Sequence, residues 1–302
     1  MPKGPSLINL GLIGFGNWGR NYVHAAQAAG NARITEVLLP GGSIRTDQAR
    51  SQGLRVIADI DDLAVDAVIV AAHPHIAPDL CEQLLRRGMH VMVEKPAALS
   101  VDAAQRISDA ALLPNSVLLV AHQHLFSTAY EYIRGRARPE KDMRIYTRAG
   151  GPGPQRDYPA LWDYGPHDVA MIWGLIGAEP VHIEMRHRLG AHESQLRLTM
   201  EFEAGVSAIC EIWNGDSKKS RYFQVHTHAG DWIYDDLDPM GRLQFQGCYL
   251  EIPYEPPLTR AVRCFADAVI QGGTDDYRFG AEWALMVANL LTRAQAVALP
   301  CE

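Results

Sequence analysis

The sequence predicts an α/β chain in two parts: a doubly wound parallel sheet over residues 1–122, then an α+β part over residues 123–302. Three observations carry this. Short apolar runs alternate with helical stretches as far as His122, in the rhythm of βαβ units. The first run leads straight into a turn with three spaced glycines, Gly14-Phe15-Gly16-Asn17-Trp18-Gly19. Beyond His122 the apolar pattern changes to period two, which suits an antiparallel sheet with one face packed and the other freer.

At 302 residues the chain exceeds a typical single domain, and 47% hydrophobic residues are enough to fill two cores. A net charge of -7 offers no electrostatic footprint for nucleic acid. No apolar run reaches the length of a membrane span, and the start carries one positive charge before an apolar run that feeds the glycine turn, so it reads as a first strand and not a signal peptide. The expected setting is therefore cytoplasmic, with a small-molecule substrate and neither nucleic acid nor membrane as partner. Five scattered cysteines without a C-x-x-C spacing read as reduced thiols, not as a disulfide framework or zinc site.

Taken in order, residues 7–13 have the length and lack of charge of a strand buried on both faces. Gly14 permits the tight turn, Gly16 lets the backbone approach a pyrophosphate, and Gly19 lets the following helix sit close to the strand. That helix, residues 20–29, is alanine-rich and stops at Gly30. Strand, glycine turn and helix make a dinucleotide-binding Rossmann unit, with phosphates at the helix N-terminus and Phe15, Asn17 and Trp18 in the cofactor loop. The second strand is residues 33–39. An NAD-binding unit usually has a carboxylate about 20 residues past the last glycine for the ribose hydroxyl. None stands there; Ser43 and Arg45 follow instead, a donor and a cation suited to a 2'-phosphate, which favours NADP over NAD.

Residues 55–57 and 66–72 give a third and a fourth strand. Ala72, His73 and Pro74, at the end of the latter and in the loop after it, are candidate cofactor contacts, and the loop also holds His75. A helix runs to Gly88, residues 90–94 form the fifth strand, and Lys95-Pro96 close it. Ser100 caps a further helix, and residues 117–121 give the sixth strand.

In the second part, residues 127–138 read as helix. Strands are expected at 144–147, 181–185, 196–202, 206–212 and 222–227, and helices at 163–175, 258–271 and 280–297. Pro166 suits a first helical turn with Gly165 near the cap. That puts His167 at a helix N-terminus, where the dipole disfavours imidazolium, with Asp163 just before the helix and Asp168 stabilising its first turn. Residues 150–159 are too rich in Gly and Pro for regular structure. They form either a plain connector or a substrate-covering loop, with Arg156 available to an anionic group.

With the glycine turn, Glu94-Lys95-Pro96 and the D-x-G-x-H of Asp163, Gly165 and His167 in view, the sequence resembles the Gfo/Idh/MocA family of sugar and inositol oxidoreductases over nearly its whole length. The resemblance implies a nicotinamide cofactor across the strand C-termini, with Glu94, Lys95 and Pro96 beside it. It also implies a large open, mainly antiparallel sheet in the second domain, and homo-oligomers built through that sheet; a monomer with that sheet covered would show the same alternation. A cis Lys95–Pro96 bond is implied as well. The family's catalytic roles carry over to Lys95, Asp163 and His167. The chemistry agrees, since hydride transfer is the cofactor's and the protein supplies orientation and a proton relay, for which burial moves a lysine toward neutral pH.

The chain departs from the family at Ala72, where relatives have Thr, and at Ala77, where a histidine would align. It departs again at Pro159-Ala160-Leu161-Trp162 ahead of the D-x-G-x-H. Of three H-x-H pairs, His73/His75, His122/His124 and His226/His228, none has the acids to complete a metal site, so no metal is expected. His122 and His124 are candidates to line the substrate cleft, with Arg156 and Trp162. The expected function is NAD(P)-dependent hydride transfer between nicotinamide and a CH–OH or C=O group of a sugar, polyol or sugar-nucleotide-like substrate. Two alternatives remain: a biosynthetic reductase of a non-sugar ketone or imine, and a non-catalytic nucleotide-binding sensor.

Overall fold

A computed structural model describes residues 7–39, 44–114, 116–152, 156–189, 194–215 and 218–300. The chain divides into two units, Met1–Gln123 with Glu255–Ala288 and His124–Tyr254 with Asn289–Glu302.

Strands β1 (Ile8–Ile13), β2 (Ala32–Leu38), β3 (Arg55–Ile57), β4 (Ala67–Val70), β5 (His90–Val93) and β6 (Leu118–Val120) form the parallel sheet of the first unit, in the order β3-β2-β1-β4-β5-β6. Their apolar runs are buried on both faces: Val68, Ile69, Val70, Val91, Met92 and Val93 have no exposed surface. Each such side chain contributes about 1.5–3 kcal/mol of burial. Helices α1 (Gly19–Ala29), α2 (Ile44–Ser51), α3 (Ala77–Arg86) and α4 (Val101–Ala111) make the crossovers. Gly30, in the left-handed conformation, ends α1, and Ser100 Oγ caps α4 by accepting from the Ala103 N–H. Later in the chain, α7 (Pro257–Gln271) packs on α1, where Asn31 Nδ2 donates to the Arg263 carbonyl and to Asp267. Helix α8 (Glu282–Ala296) starts in this unit and ends in the other.

The second unit holds a nine-stranded mixed sheet. Its strands are β7 (Arg144–Gly151), β8 (His182–Leu189), β9 (Ser194–Glu201), β10 (Ser207–Asn214), β11 (Ser220–Thr227), β12 (Gly230–Asp235), β13 (Leu243–Phe245), β14 (Cys248–Tyr249) and β15 (Ala298–Pro300). The order is β14-β13-β12-β11-β7-β10-β9-β8-β15, antiparallel except for β7–β10 and β8–β15. Helix α5 (Thr128–Arg136) lies against β12, and α6 (Ala160–Ile176) lies across β7 and β10. Alternation sorts the faces. Ile145, Thr147, Leu198, Ala208, Cys210, Ile212 and Phe223 are buried, while Tyr146, Arg148, Arg197 and Glu211 face the freer side.

Three local expectations are corrected. Helix α6 begins at Ala160, so Asp163 is in its first turn and Pro166, His167 and Asp168 lie inside it. Pro166 forfeits the N–H that would have reached back to the Trp162 carbonyl and crowds that carbonyl with its ring, a cost set against the buried face of α6. Second, Gly150 and Gly151 are strand residues. A Cβ at Gly150 would sit 2.5 Å from the Trp213 ring, so glycine is what lets the neighbouring indole lie over β7. Third, β12 to β15 have no counterpart among the expected strands. β13, β14 and β15 span two or three residues, too few for a period to register. Among the described residues Cys81, Cys210, Cys248 and Cys264 are free thiols, and no helix is long and apolar enough to cross a membrane.

Candidate functional site

In the first unit the predicted residues come together at the carboxyl edge of the parallel sheet. Successive strand ends are tied level, with Ala71 N–H to the Ile13 carbonyl at 2.8 Å, Glu94 N–H to Val70 at 2.9 Å and Ala121 N–H to Val93 at 2.8 Å. Gly14, Ala72, Lys95 and His122 therefore follow neighbouring strands at one edge. The order reverses between β1 and β4, the switch point where open α/β sheets bind ligands.

The three glycines differ in what they avoid. Gly14 has φ +97°, and a Cβ there would meet the Ala71 carbonyl oxygen at 2.4 Å. At Gly19 a Cβ would stand 2.1 Å from the Gly14 carbonyl oxygen. At Gly16 nothing lies within 4 Å, so no protein neighbour requires glycine there. A ligand pressed against the backbone does explain it, and α1 has neither an acid in its first turn nor a side-chain cap to offset its positive end. The turn thus fits the pyrophosphate of a dinucleotide. Asn17 is exposed and accepts from Arg20, while Phe15 is buried as packing.

Glu94 ties this turn to Lys95. Its buried carboxylate accepts from the Trp18 indole N–H, from the Tyr22 hydroxyl at 2.5 Å and from the Lys95 backbone N–H at 3.0 Å. Burial pushes the Glu94 carboxyl up, opposed by the Lys95 charge and these donors, and burial raises Tyr22 well above its ordinary value. Lys95 is half-buried, and the Lys95–Pro96 bond is cis, as the resemblance implies. His122 is 2% exposed, its ring 5.8 Å from that of Trp283. Burial first, and then the charge of Lys95, lower its pKa to about 3, which keeps the imidazole neutral.

At the other end of the expected cofactor groove, Leu39 is buried and β2 holds one carboxylate, Glu36. Glu36 is already taken by Arg55 at 2.7 Å and the Ala64 N–H at 3.0 Å. Arg45 is exposed in the first turn of α2, and Ser43 lies outside the described residues. Pro74 is buried; His73 and His75 are exposed and stack on each other at 5.2 Å.

In the second unit, Asp163 and His167 stand four residues apart on α6 and so share a face. Arg156 reaches Asp163, Nε to Oδ2 3.6 Å. Since His167 is well inside the helix, the dipole argument for it fails; what surrounds it instead is a pocket lined by His124, Tyr164, Asp168, Arg221 and Tyr234, among others. His167 is 8% exposed and meets the His124 ring edge-on at 4.8 Å. Asp168 does not serve the first turn: it is 3% exposed, accepts from Thr147 Oγ1 at 2.9 Å, and burial pushes its carboxyl up to about 7 against the pull of Thr147 and Arg221. Trp162 is 3% exposed, and its indole N–H donates to Gln295 at 3.0 Å.

Two of the three H-x-H pairs do not act as pairs. His122 belongs to the first unit and His124 to the second, while His226 and His228 engage Asp231 and Glu140 separately. The sequence did not mark Tyr22, Arg221 or Tyr234 as neighbours of the site, nor the bond from Trp18, named for the cofactor loop, to Glu94. Trp18 and Tyr22 are four residues apart on one helical face, a signal that both reach one partner. Arg221 and Tyr234 come from separate strands, and no local spacing marks them.

Comparison with known proteins gives consistent results. Residues 8–122 match the Gfo/Idh/MocA oxidoreductase family, described as having an NAD-binding Rossmann fold. Inositol 2-dehydrogenase 2 of Saccharopolyspora erythraea is 28% identical over 225 residues, 68% of this chain and 66% of the relative. UDP-N-acetylglucosamine 3-dehydrogenase of Acidithiobacillus ferrooxidans is 26% identical over 58% of this chain and 56% of its own length, so both alignments stop short of two thirds of the relative. Its solved structure superposes with a TM-score of 0.83 over 97% of this chain and 98% of its own. A structure from Magnetospirillum magnetotacticum, described as an oxidoreductase, is 28% identical with a TM-score of 0.82 over 95% of this chain and 99% of its own. Residues 8–122, which carry the glycine turn, the six-stranded parallel sheet and Glu94-Lys95-Pro96, are thus similar to the Rossmann part of the Gfo/Idh/MocA oxidoreductases.

Proposed function

We propose that the chain is an NAD(P)-dependent dehydrogenase or reductase acting on a CH–OH or C=O group of a polyol, sugar or sugar-nucleotide-like substrate. The observation that carries this is the carboxyl edge of the parallel sheet, where a glycine with no protein reason to be glycine precedes an uncompensated helix N-terminus, two strands from Lys95. A bound nicotinamide supplies the hydride donor or acceptor. The chain's own groups handle the proton and the orientation. Lys95 is the principal acid/base, taking the hydroxyl proton on oxidation and returning it on reduction. His167 is its partner, and Asp163 accepts a hydrogen bond from substrate and so orients it, with Arg156 beside it for an anionic substituent. His122, held neutral, offers a polar surface near Lys95 without adding charge.

NADP is the favoured cofactor, since Glu36 is engaged elsewhere and Arg45 follows β2. Replacing Arg45 with Ala should weaken NADPH binding several-fold and leave NADH unchanged. The freer face of the nine-stranded sheet, bearing Tyr146, Arg148, Arg197 and Glu211, supports assembly as a homo-oligomer. Light scattering tests that.

Inositols, aldoses and nucleoside-diphosphate sugars, assayed in both directions at the nicotinamide absorbance band, test the substrate class. Turnover with a member of this panel is expected. Binding of NADPH and NADH with turnover only of an imine or a non-sugar ketone would overturn it.

A further inference from the structure

Tyr234, on β12, is 2% exposed and has no part in the chemistry assigned above. Its hydroxyl lies 3.0 Å from His124 Nδ1 and also bonds the Ser127 hydroxyl and the Asp236 carboxylate. Asp236 is itself held by Arg242, Nε to Oδ1 3.6 Å. On its far side His124 sets its ring against that of His167, with centroids 4.8 Å apart and planes at 88°. An ion pair, a phenol and two imidazoles thus form one continuous series ending at His167.

Proton positions follow from acceptor strength. A phenol has one proton, and a carboxylate is the strongest acceptor in its reach. Tyr234 therefore donates to Asp236, and its oxygen accepts from His124 Nδ1–H. Neutral His124 is then fixed as the tautomer protonated at Nδ1. Fixing matters here, because His124, His167 and Tyr234 line one pocket, so the tautomer and orientation of His124 decide what its ring presents to His167.

We infer that Tyr234 and His124 are positioning residues for His167: Tyr234, anchored by Asp236, sets the orientation and tautomer of His124, and the His124 ring holds the His167 imidazole in its working orientation. This rests on the reading of His167 as the acid/base partner. Neither residue touches substrate in this account; both act through His167.

A double-mutant cycle of Tyr234→Phe and His167→Gln, with histidine 15N NMR, tests it. Tyr234→Phe should lower kcat about tenfold, with KM and cofactor affinity within about twofold of wild type. The double variant should fall no further than His167→Gln alone. The spectrum should show one His124 tautomer in wild type and a mixture in Tyr234→Phe. Asp236→Asn, which leaves the buried phenol in place, should give the same mixing and serves if Tyr234→Phe does not fold. Multiplicative losses in the double variant, or a His124 tautomer indifferent to both substitutions, would overturn the inference. Full activity in His167→Gln would instead remove the acid/base reading on which it stands.

Discussion

Alanine at each of the three turn glycines separates packing from cofactor contact. At Gly19 the new methyl would stand 2.1 Å from the Gly14 carbonyl oxygen, a backbone atom that no rotamer change can move. At Gly14 it would stand 2.4 Å from the Ala71 oxygen and would also occupy φ +97°. Overpacking costs about 1–3 kcal/mol, and left-handed backbone about 1–2 kcal/mol more at Gly14. At about 2–4 °C per kcal/mol for units of this size, Gly19→Ala should melt about 2–12 °C below wild type, with Gly14→Ala lower still. Gly16→Ala meets nothing within 4 Å, so its melting temperature should stay within about 2 °C. Its methyl would instead intrude where the pyrophosphate lies, weakening NAD(P)H at least about tenfold, or about 1.4 kcal/mol. Thermal unfolding and fluorescence titration of the reduced cofactor read both quantities. Wild-type cofactor affinity in Gly16→Ala, or an unchanged melting temperature in Gly19→Ala, would refute the assignment of the turn.

Other consequences are as direct. Asp168 keeps its proton in the folded chain up to about pH 7, whereas an unfolded aspartate loses it near the ordinary carboxylate value of 3.8. The folded state therefore binds more protons in that window, stability falls as pH rises through it, and the full loss is on the order of 4 kcal/mol. Asp168→Asn keeps an acceptor for Thr147 and should raise the melting temperature at about pH 8, with the gain vanishing at about pH 4; a pH-independent difference would contradict this. Tyr22→Phe removes a hydrogen bond to a buried carboxylate, worth about 1.5–3 kcal/mol, and should lower stability by about that much. The Trp18 emission should shift with it, because both side chains bond one Glu94 oxygen; unchanged stability and emission would show that the network is idle.

The parallel half was legible because its signals are local. A strand buried on both faces, a glycine turn and a capped helix each occupy one short stretch, and the residues 55–57 and Ser100 features stand where the pattern put them. The start of α6 was misread because Gly165-Pro166 carries a strong local N-terminus signal, while the burial of Ala160, Leu161 and Trp162 that extends the helix is tertiary. The glycine pair at β7 misled for the same reason: its cause is a tryptophan on another strand. Asp163, His167 and Lys95 could be singled out as candidates from spacing and resemblance. The groups that support them could not, since Glu94 meets Tyr22 across 72 positions and His124 meets Tyr234 across 110.

Isotope transfer tests hydride transfer by this chain. Purified chain is given 4-deuterated reduced nicotinamide cofactor with keto-inositols, keto-sugars and nucleoside-diphosphate keto-sugars, and the product is analysed by mass spectrometry. Deuterium is expected on the new carbinol carbon, with a loss of about 10²–10⁴-fold in that transfer in Lys95→Met with cofactor still bound. Cofactor binding with no transfer to any of these carbonyls, or transfer in Lys95→Met at the wild-type rate, would contradict the proposed function.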